Sequence, residues 1–164
     1  MFTTLDMHIL EILCEDARVT PREIAVMTGS DEGSVIAAME SLRRAGVLVG
    51  HQALINWERT DREFVQAVIE VNVVPQREKG FDAIAQRIMQ HDEVKSLYLM
   101  SGAYDLMVLV KGRTIKELAL FVSEKLSTLE HVLSTATHFV LKKYKVDGVI
   151  ISGATEDQRL KVTL

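Results

Sequence analysis

Ser101-Gly102-Ala103-Tyr104-Asp105 interrupts two apolar runs, Val94–Met100 and Tyr104–Val110, that have the length of strands. The break gathers residue types that can do chemistry. Glycine and two small neighbours let the backbone turn and let another group approach its amides closely. Tyr104 adds an aromatic hydroxyl and Asp105 a carboxylate, both beside otherwise apolar sequence. Two readings stay open on pattern alone: a plain hairpin with its polar residues in water, or a binding turn.

The rest of the chain offers less. The five histidines, His8, His51, His91, His131 and His138, show no metal-ligand spacing, so no metal is expected. Neither G-x-x-x-x-G-K nor G-x-G-x-x-G occurs, and no cofactor or catalytic group is expected. The single Cys14 excludes an intramolecular disulfide and suits a reducing compartment. Among Ile9, Leu10, Ile12 and Leu13 it reads as a buried small hydrophobe. His138 alternates with Ala136 and Val140 and reads as an interior or interface residue. Lys142-Lys143-Tyr144-Lys145 reads as a solvated strand end rather than a nucleic-acid patch.

Composition bounds the class. The 164 residues, 48% hydrophobic and 26% charged, fit one or two ordinary globular domains with a real core. No apolar run reaches the roughly 20 residues that span a bilayer. The start of the chain shows no secretory pattern, so a cytoplasmic, nucleoid-associated location is expected. Charge is uneven: through Thr60 nine acidic residues face five basic ones, giving that segment the whole net −4, while the remainder is balanced.

The elements that must position these residues fall into two groups. Leu5, Ile9, Ile12 and Leu13 share one helical face. Thr20-Pro21-Arg22-Glu23 is a capping box that opens a short helix with Ile24, Ala25 and Met27 inward, ending at Gly29. Ser30 or Asp31 caps a third helix with Val35, Ile36, Met39 and Leu42 as its stripe and Gly46 as its stop. Two short strands around Gly50-His51, within 47–56, complete a winged helix-turn-helix plan, in which the third helix enters the major groove; on pattern alone a small helical domain that packs on a partner and reads no DNA stays open.

From Phe64 to Val74 the alternation of Val65, Ala67, Ile69, Val71 and Val73 predicts a strand closed by Pro75. A helix with Phe81, Ile84, Ala85, Ile88 and Met89 follows, then the two opening strands. Thr114 caps a helix with Ile115, Leu118, Val122, Leu126 and Leu129, and a last strand spans about 133–144. Strand, helix, two strands, helix, strand is the ferredoxin-like βαββαβ order. The fold class is therefore α+β. The uncovered sheet face, with Phe64, Val68, Tyr98 and Met100, is too apolar to stay wet and predicts dimerisation through the sheets. The expected organisation is a DNA-binding domain at 1–56, a polar linker at 57–63, the βαββαβ domain at 64–147 and a tail at 148–164. Part of the tail can add an edge strand, and 154–164 is expected loose or wrapped on a neighbour.

Over nearly its whole length the chain resembles the Lrp/AsnC (feast/famine) regulators. The resemblance rests on Leu5-Asp6-Met7-His8-Ile9-Leu10, Asp16-Ala17-Arg18-Val19-Thr20 and Leu42-Arg43-Arg44-Ala45-Gly46-Val47-Leu48. Most specific is Ser101-Gly102-Ala103-Tyr104-Asp105, similar to the family's Gly-x-Tyr/Phe-Asp signature. Thr135-Ala136-Thr137 is similar to a Thr-x-Thr in its last strand. The resemblance implies a transcriptional regulator that binds double-stranded DNA, with a RAM/ACT-like sensing domain and homodimers that assemble to tetramers or octamers. It also implies a small effector, usually an amino acid, bound between dimers. Met100, Ser101, Gly102, Ala103, Tyr104, Asp105, Thr135 and Thr137 are its expected contacts, with amides for the carboxylate and Asp105 or a threonine for the ammonium. An effector that bridges dimers shifts the oligomer equilibrium.

One departure concerns the third helix, which holds Ala37, Ala38, Glu40 and Ser41 where relatives carry basic residues, with Asp31 and Glu32 at its start. Phosphate contacts need positive charge. The expected DNA contacts are Arg22, Ser30, Ser34, Ser41, Arg43, Arg44, His51 and Gln52, helped by avidity across an oligomer. Two alternatives follow: an amino-acid-sensing oligomeric module with weak or lost DNA binding, and an enzyme like the sirohaem decarboxylases, using His131, His138, Tyr98 and Tyr104.

Overall fold

The computed structural model describes residues 2–74 and 80–151, which form two compact units divided between Ile55 and Asn56.

The first unit has three helices, α1 (Thr4–Glu15), α2 (Pro21–Thr28) and α3 (Glu32–Arg44). Each starts where a side chain supplies the acceptor that the first amides lack. Thr3 and Asp6 form a capping box on α1, Thr20 and Glu23 one on α2, and Asp31 accepts from the Ser34 amide on α3. Gly29 ends α2 at φ 66°, a conformation that costs other residues energy. Ile9, Leu13, Ile24, Ala25, Val35, Met39 and Leu42 form the core. Three expectations fail here. Cys14 is exposed, because α1 buries Ile9 and Leu13 and the next residue lies about 100° round the helix. Met27 and Ile36 are exposed as well. The strands expected within 47–56 do not form; that segment has no ladder partner among the described residues, and Val49 stays 90% exposed.

The second unit begins with a 3₁₀ turn, Trp57–Arg59, capped by Asn56. It continues as β1 (Val65–Val73), α4 (Asp82–Met89), β2 (Val94–Leu99), β3 (Leu106–Gly112), α5 (Ile115–Leu120) and β4 (Val132–Phe139). The four strands form one antiparallel sheet in the order β2-β3-β1-β4. Ala67, Ile69, Val71, Val73, Leu106, Val108 and Val110 point to the helices and are buried with Ile84, Ile88, Leu118, Phe121 and Leu126. Burying each such side chain stabilises the fold by roughly 1.5–3 kcal/mol. Met89 and Ile115, expected in the helix stripes, are exposed at the ends of α4 and α5. Gly112 lets α5 close on the sheet, since a Cβ there would sit 2.8 Å from Leu118 Cδ2.

The chain after α5 widens into a π-helical stretch, Phe121–Leu126, in which Ser127 N–H donates to Val122 C=O at 2.8 Å. The last strand is shorter than expected. Beyond it a separate hairpin, β5 (Lys145–Val146) and β6 (Val149–Ile150), turns at Asp147-Gly148, both at positive φ. It joins no strand of the main sheet. Pro75 and the 154–164 tail lie outside the described residues.

Candidate functional site

The break between β2 and β3 is a six-residue turn held at its ends by the backbone. Met100 N–H donates to Asp105 C=O at 2.8 Å, and Asp105 N–H donates to Val71 C=O at 3.2 Å. The Asp105 side chain completes the arrangement: its Oδ2 accepts from Val73 N–H at 2.9 Å. The ladder of β1 with β3 ends at Val71 opposite Leu106, so the Val73 amide, on the same edge two residues on, takes the carboxylate in place of a strand carbonyl. One oxygen is committed to the fold, and Oδ1 remains.

Ser101, Gly102 and Ala103 are exposed, Met100 is 37% exposed, and Tyr104 and Asp105 are half-buried. Gly102 is at none of the positive-φ positions, and a Cβ built on it meets nothing within 4 Å. Neither the turn nor internal packing requires glycine there.

Thr135 lies level with this turn, because Val71 faces Leu106 on one side and Thr135 on the other. It is two strands away, about 10 Å. Thr137 pairs with Ile69, one step further from the turn. Both threonines are half-buried, in the alternation set of β4 opposite to Ala136 and His138. Thr135 Oγ1 lies 3.3 Å from Ser127 Oγ, a contact the π-helical stretch creates. Ser127 carries no signal in the sequence, because a π turn leaves no spacing that differs from an ordinary helix.

The open sheet face presents Val68, Met107 and Leu109, half-buried, and Tyr98, 51% exposed. His138 is on this face, with Nε2 3.5 Å from Glu70 Oε1. The histidines and tyrosines of the enzyme alternative do not converge there: Tyr98 and His138 lie on opposite edge strands, about 14 Å apart.

In the first unit, Arg43 and His51 line one cleft with Glu40, Met39 and Ile36. Arg44 and Ser41 are exposed on α3, and Gln52 is exposed beyond it. Ser34 is already used, its hydroxyl donating to Asp31 Oδ2; those bonds hold the Asp31 carboxyl below its usual range. Ser30 is half-buried, and its amide donates to Ala25 C=O at 3.0 Å. Arg22 lines a second groove with Arg18, Val26 and Met27. The Arg18 guanidinium bonds Asp16 at 2.9 Å and lowers that carboxyl to about 2, so its charge is largely answered within the loop.

Comparison with known proteins assigns both units. Residues 2–49 match the model of a winged helix-turn-helix DNA-binding domain, and residues 66–150 that of the Lrp/AsnC ligand binding domain. The HTH-type transcriptional regulator YugG of Bacillus subtilis is 44% identical over 162 residues, 98% of each chain. The proline dehydrogenase transcriptional activator of Rhodobacter capsulatus is 27% identical, over 84% of this chain and 88% of its own. Among solved structures, the leucine response regulatory protein of Mycobacterium tuberculosis aligns at TM-score 0.75, 24% identity, covering 92% of this chain and 99% of its own. A Neisseria meningitidis transcriptional regulator in complex with L-Met aligns at TM-score 0.69 and 23% identity, covering 89% and 94%. The chain is a DNA-binding transcriptional regulator with a ligand-binding domain, and it belongs to the Lrp/AsnC family.

Proposed function

We propose that the regulator is controlled by an amino acid bound at the Ser101–Asp105 turn, where dimers meet. The observation that carries this reading is Gly102, a glycine that neither backbone strain nor internal packing demands, on an exposed turn. A side chain missing where the fold has room for one leaves the turn amides open to a group from outside. Those amides suit a carboxylate, and Asp105 Oδ1 suits an ammonium. The complex of the Neisseria relative with L-Met supports the same ligand class.

Dimers form through the open sheet face around Val68, Tyr98 and Leu109, and effector bound between them shifts assembly to tetramers or octamers. DNA is read by α3 through Ser41 and Arg44, with Arg43, His51, Gln52 and Arg22 around it. Ser34 and Ser30 contribute less, being engaged in the cap and turn.

A thermal-shift screen of the twenty amino acids tests the effector reading on the whole chain. A ligand of the native state raises its stability by RT ln(1 + [L]/Kd), about 2.7 kcal/mol at a hundredfold excess. Gly102→Val should keep the melting temperature and lose the shift, because a Cβ at this position meets no atom within 4 Å. A screen with no shift, or a shift that survives Gly102→Val, rejects this site.

A further inference from the structure

We propose that Lys95, Lys111 and Lys143 form a second contact with the DNA phosphate backbone, on the βαββαβ unit at the end of the sheet where the chain enters from the helical unit. The inference rests on the chain's binding of DNA through its first unit and adds to it a surface outside that unit.

The residues converge from three parts of the second unit. Lys111 is on β3 opposite Gln66, Lys95 is at the start of the neighbouring β2, and Lys143 follows β4. The segment that carries Lys143 is tied to the same sheet end, since Val140 N–H donates to Gln66 C=O at 2.8 Å. The entering chain is fixed there too. Asn56 Nδ2 donates to Ile151 C=O at 2.9 Å, and Trp57 meets Phe64 edge to face at 5.3 Å. The Lys111 ammonium sits over both rings, 3.6 Å from the Phe64 centroid and 4.9 Å from that of Trp57. What the sequence presents as a polar linker is therefore a clasped platform.

Among the described residues none of the three ammonium groups has a carboxylate within ion-pair distance, although the linker carries Glu58, Asp61 and Glu63. Lys95 is held by donating to Asp92 C=O at 2.6 Å. Partial burial, and after it the charges of Lys143 and Lys95, hold the Lys111 pKa below the usual lysine range. Three like charges thus share one end of the sheet with no carboxylate in ion-pair distance among the described residues, and Lys95 and Lys111 are held there by Asp92 C=O and the two rings. An anion with regularly spaced charges relieves that repulsion, and the DNA backbone is such an anion. The need is real on this chain: the first 60 residues carry net −4, and the exposed side of α3 offers Glu40 as well as Arg44.

The test measures DNA affinity of the whole protein against salt, on an operator found by footprinting and on random DNA. Each lost phosphate contact lowers the slope of log K against log salt by about 0.9. Lys95→Gln/Lys111→Gln/Lys143→Gln should lower it by about 2.7 per bound protomer and weaken both DNAs alike, since phosphate contacts carry no sequence information. Replacing all three by arginine should restore it. Lys95→Gln/Lys143→Gln leaves the Trp57–Phe64 contact intact and should lower the slope by about 1.8, so the proposal stays testable if the triple variant misfolds. An unchanged slope in both variants, with wild-type binding intact, overturns the proposal alone. Failure of the wild type to bind DNA overturns it together with the reading it rests on. Saturation of the lysines by inorganic phosphate with no change in DNA slope assigns them to a small anion and also overturns it.

Discussion

The two ends of the four-stranded sheet use polar side chains in opposite ways. At the turn end Asp105 accepts from Val73 N–H, Asn72 donates to Ser134 Oγ at 3.1 Å, and Ser127 meets Thr135. At the linker end Lys95, Lys111 and Lys143 converge with no carboxylate among them. The first end is answered from within the chain: its polar side chains hold the backbone in shape, and among the described residues the exposed turn amides and Asp105 Oδ1 are what they leave to the proposed effector. The second has a backbone carbonyl and two aromatic rings but no carboxylate within ion-pair distance among the described residues, so its charge is available to a partner. The residue most easily named from a motif, Asp105, is thus partly structural.

The largest expected effect comes from breaking the turn end. Asp105→Ala leaves the amide of buried Val73 without its acceptor and should cost about 1–3 kcal/mol of stability. Asp105→Asn offers an amide oxygen in the same place and should recover most of that, while still losing the charge an ammonium needs. Urea unfolding separates the two variants, and calorimetry with the effector should show weakened binding in both. Equal stability of Ala, Asn and wild type would mean that the carboxylate serves only the ligand.

A smaller effect is expected at Thr135. Thr135→Val keeps the shape of a half-buried strand residue and removes one partner of an exposed hydroxyl pair, so stability should change by less than about 1 kcal/mol. Effector affinity should fall if the threonine reaches the ligand. Affinity unchanged by Thr135→Val and lowered by Asp105→Asn would confine the site to the turn and its own strand.

How far the sequence revealed these ends follows from periodicity. The βαββαβ order, the caps at Thr20 and Thr114, the α3 cap to within Ser30 or Asp31, and the buried faces of β1 and β3 were legible, because each is set by spacing or by a residue within four positions. Cys14, Met27 and Ile36 misled because a stripe drawn one position too wide still looks apolar. The Asp105–Val73 bond joins residues 32 apart and depends on where the ladder of β1 with β3 ends, which no local pattern announces. The lysine cluster is hidden for the same reason: its members belong to two strands and a loop, and Lys143 seemed part of a solvated strand end.

The smallest effect sharpens the linker end. Lys125 and Lys111 are both lysines of the second unit. Lys125 bonds Glu93 Oε1 at 2.7 Å and has its pKa raised, whereas burial and two other lysines lower that of Lys111. A lysine with a folded-state pKa below its unfolded value binds its proton less tightly when folded, so stability rises as pH climbs from the folded toward the unfolded value. Lys111→Met keeps the stem against Trp57 and Phe64 and removes the charge. It should flatten that alkaline rise and leave the protein no less stable at neutral pH. Bound DNA should flatten the rise in the wild type also, because phosphate holds the proton on Lys111. A clear loss of stability in Lys111→Met at neutral pH would show that the ammonium's attraction to the two rings outweighs its burial and the neighbouring charges. The linker end would then be as fully answered from within as the turn end.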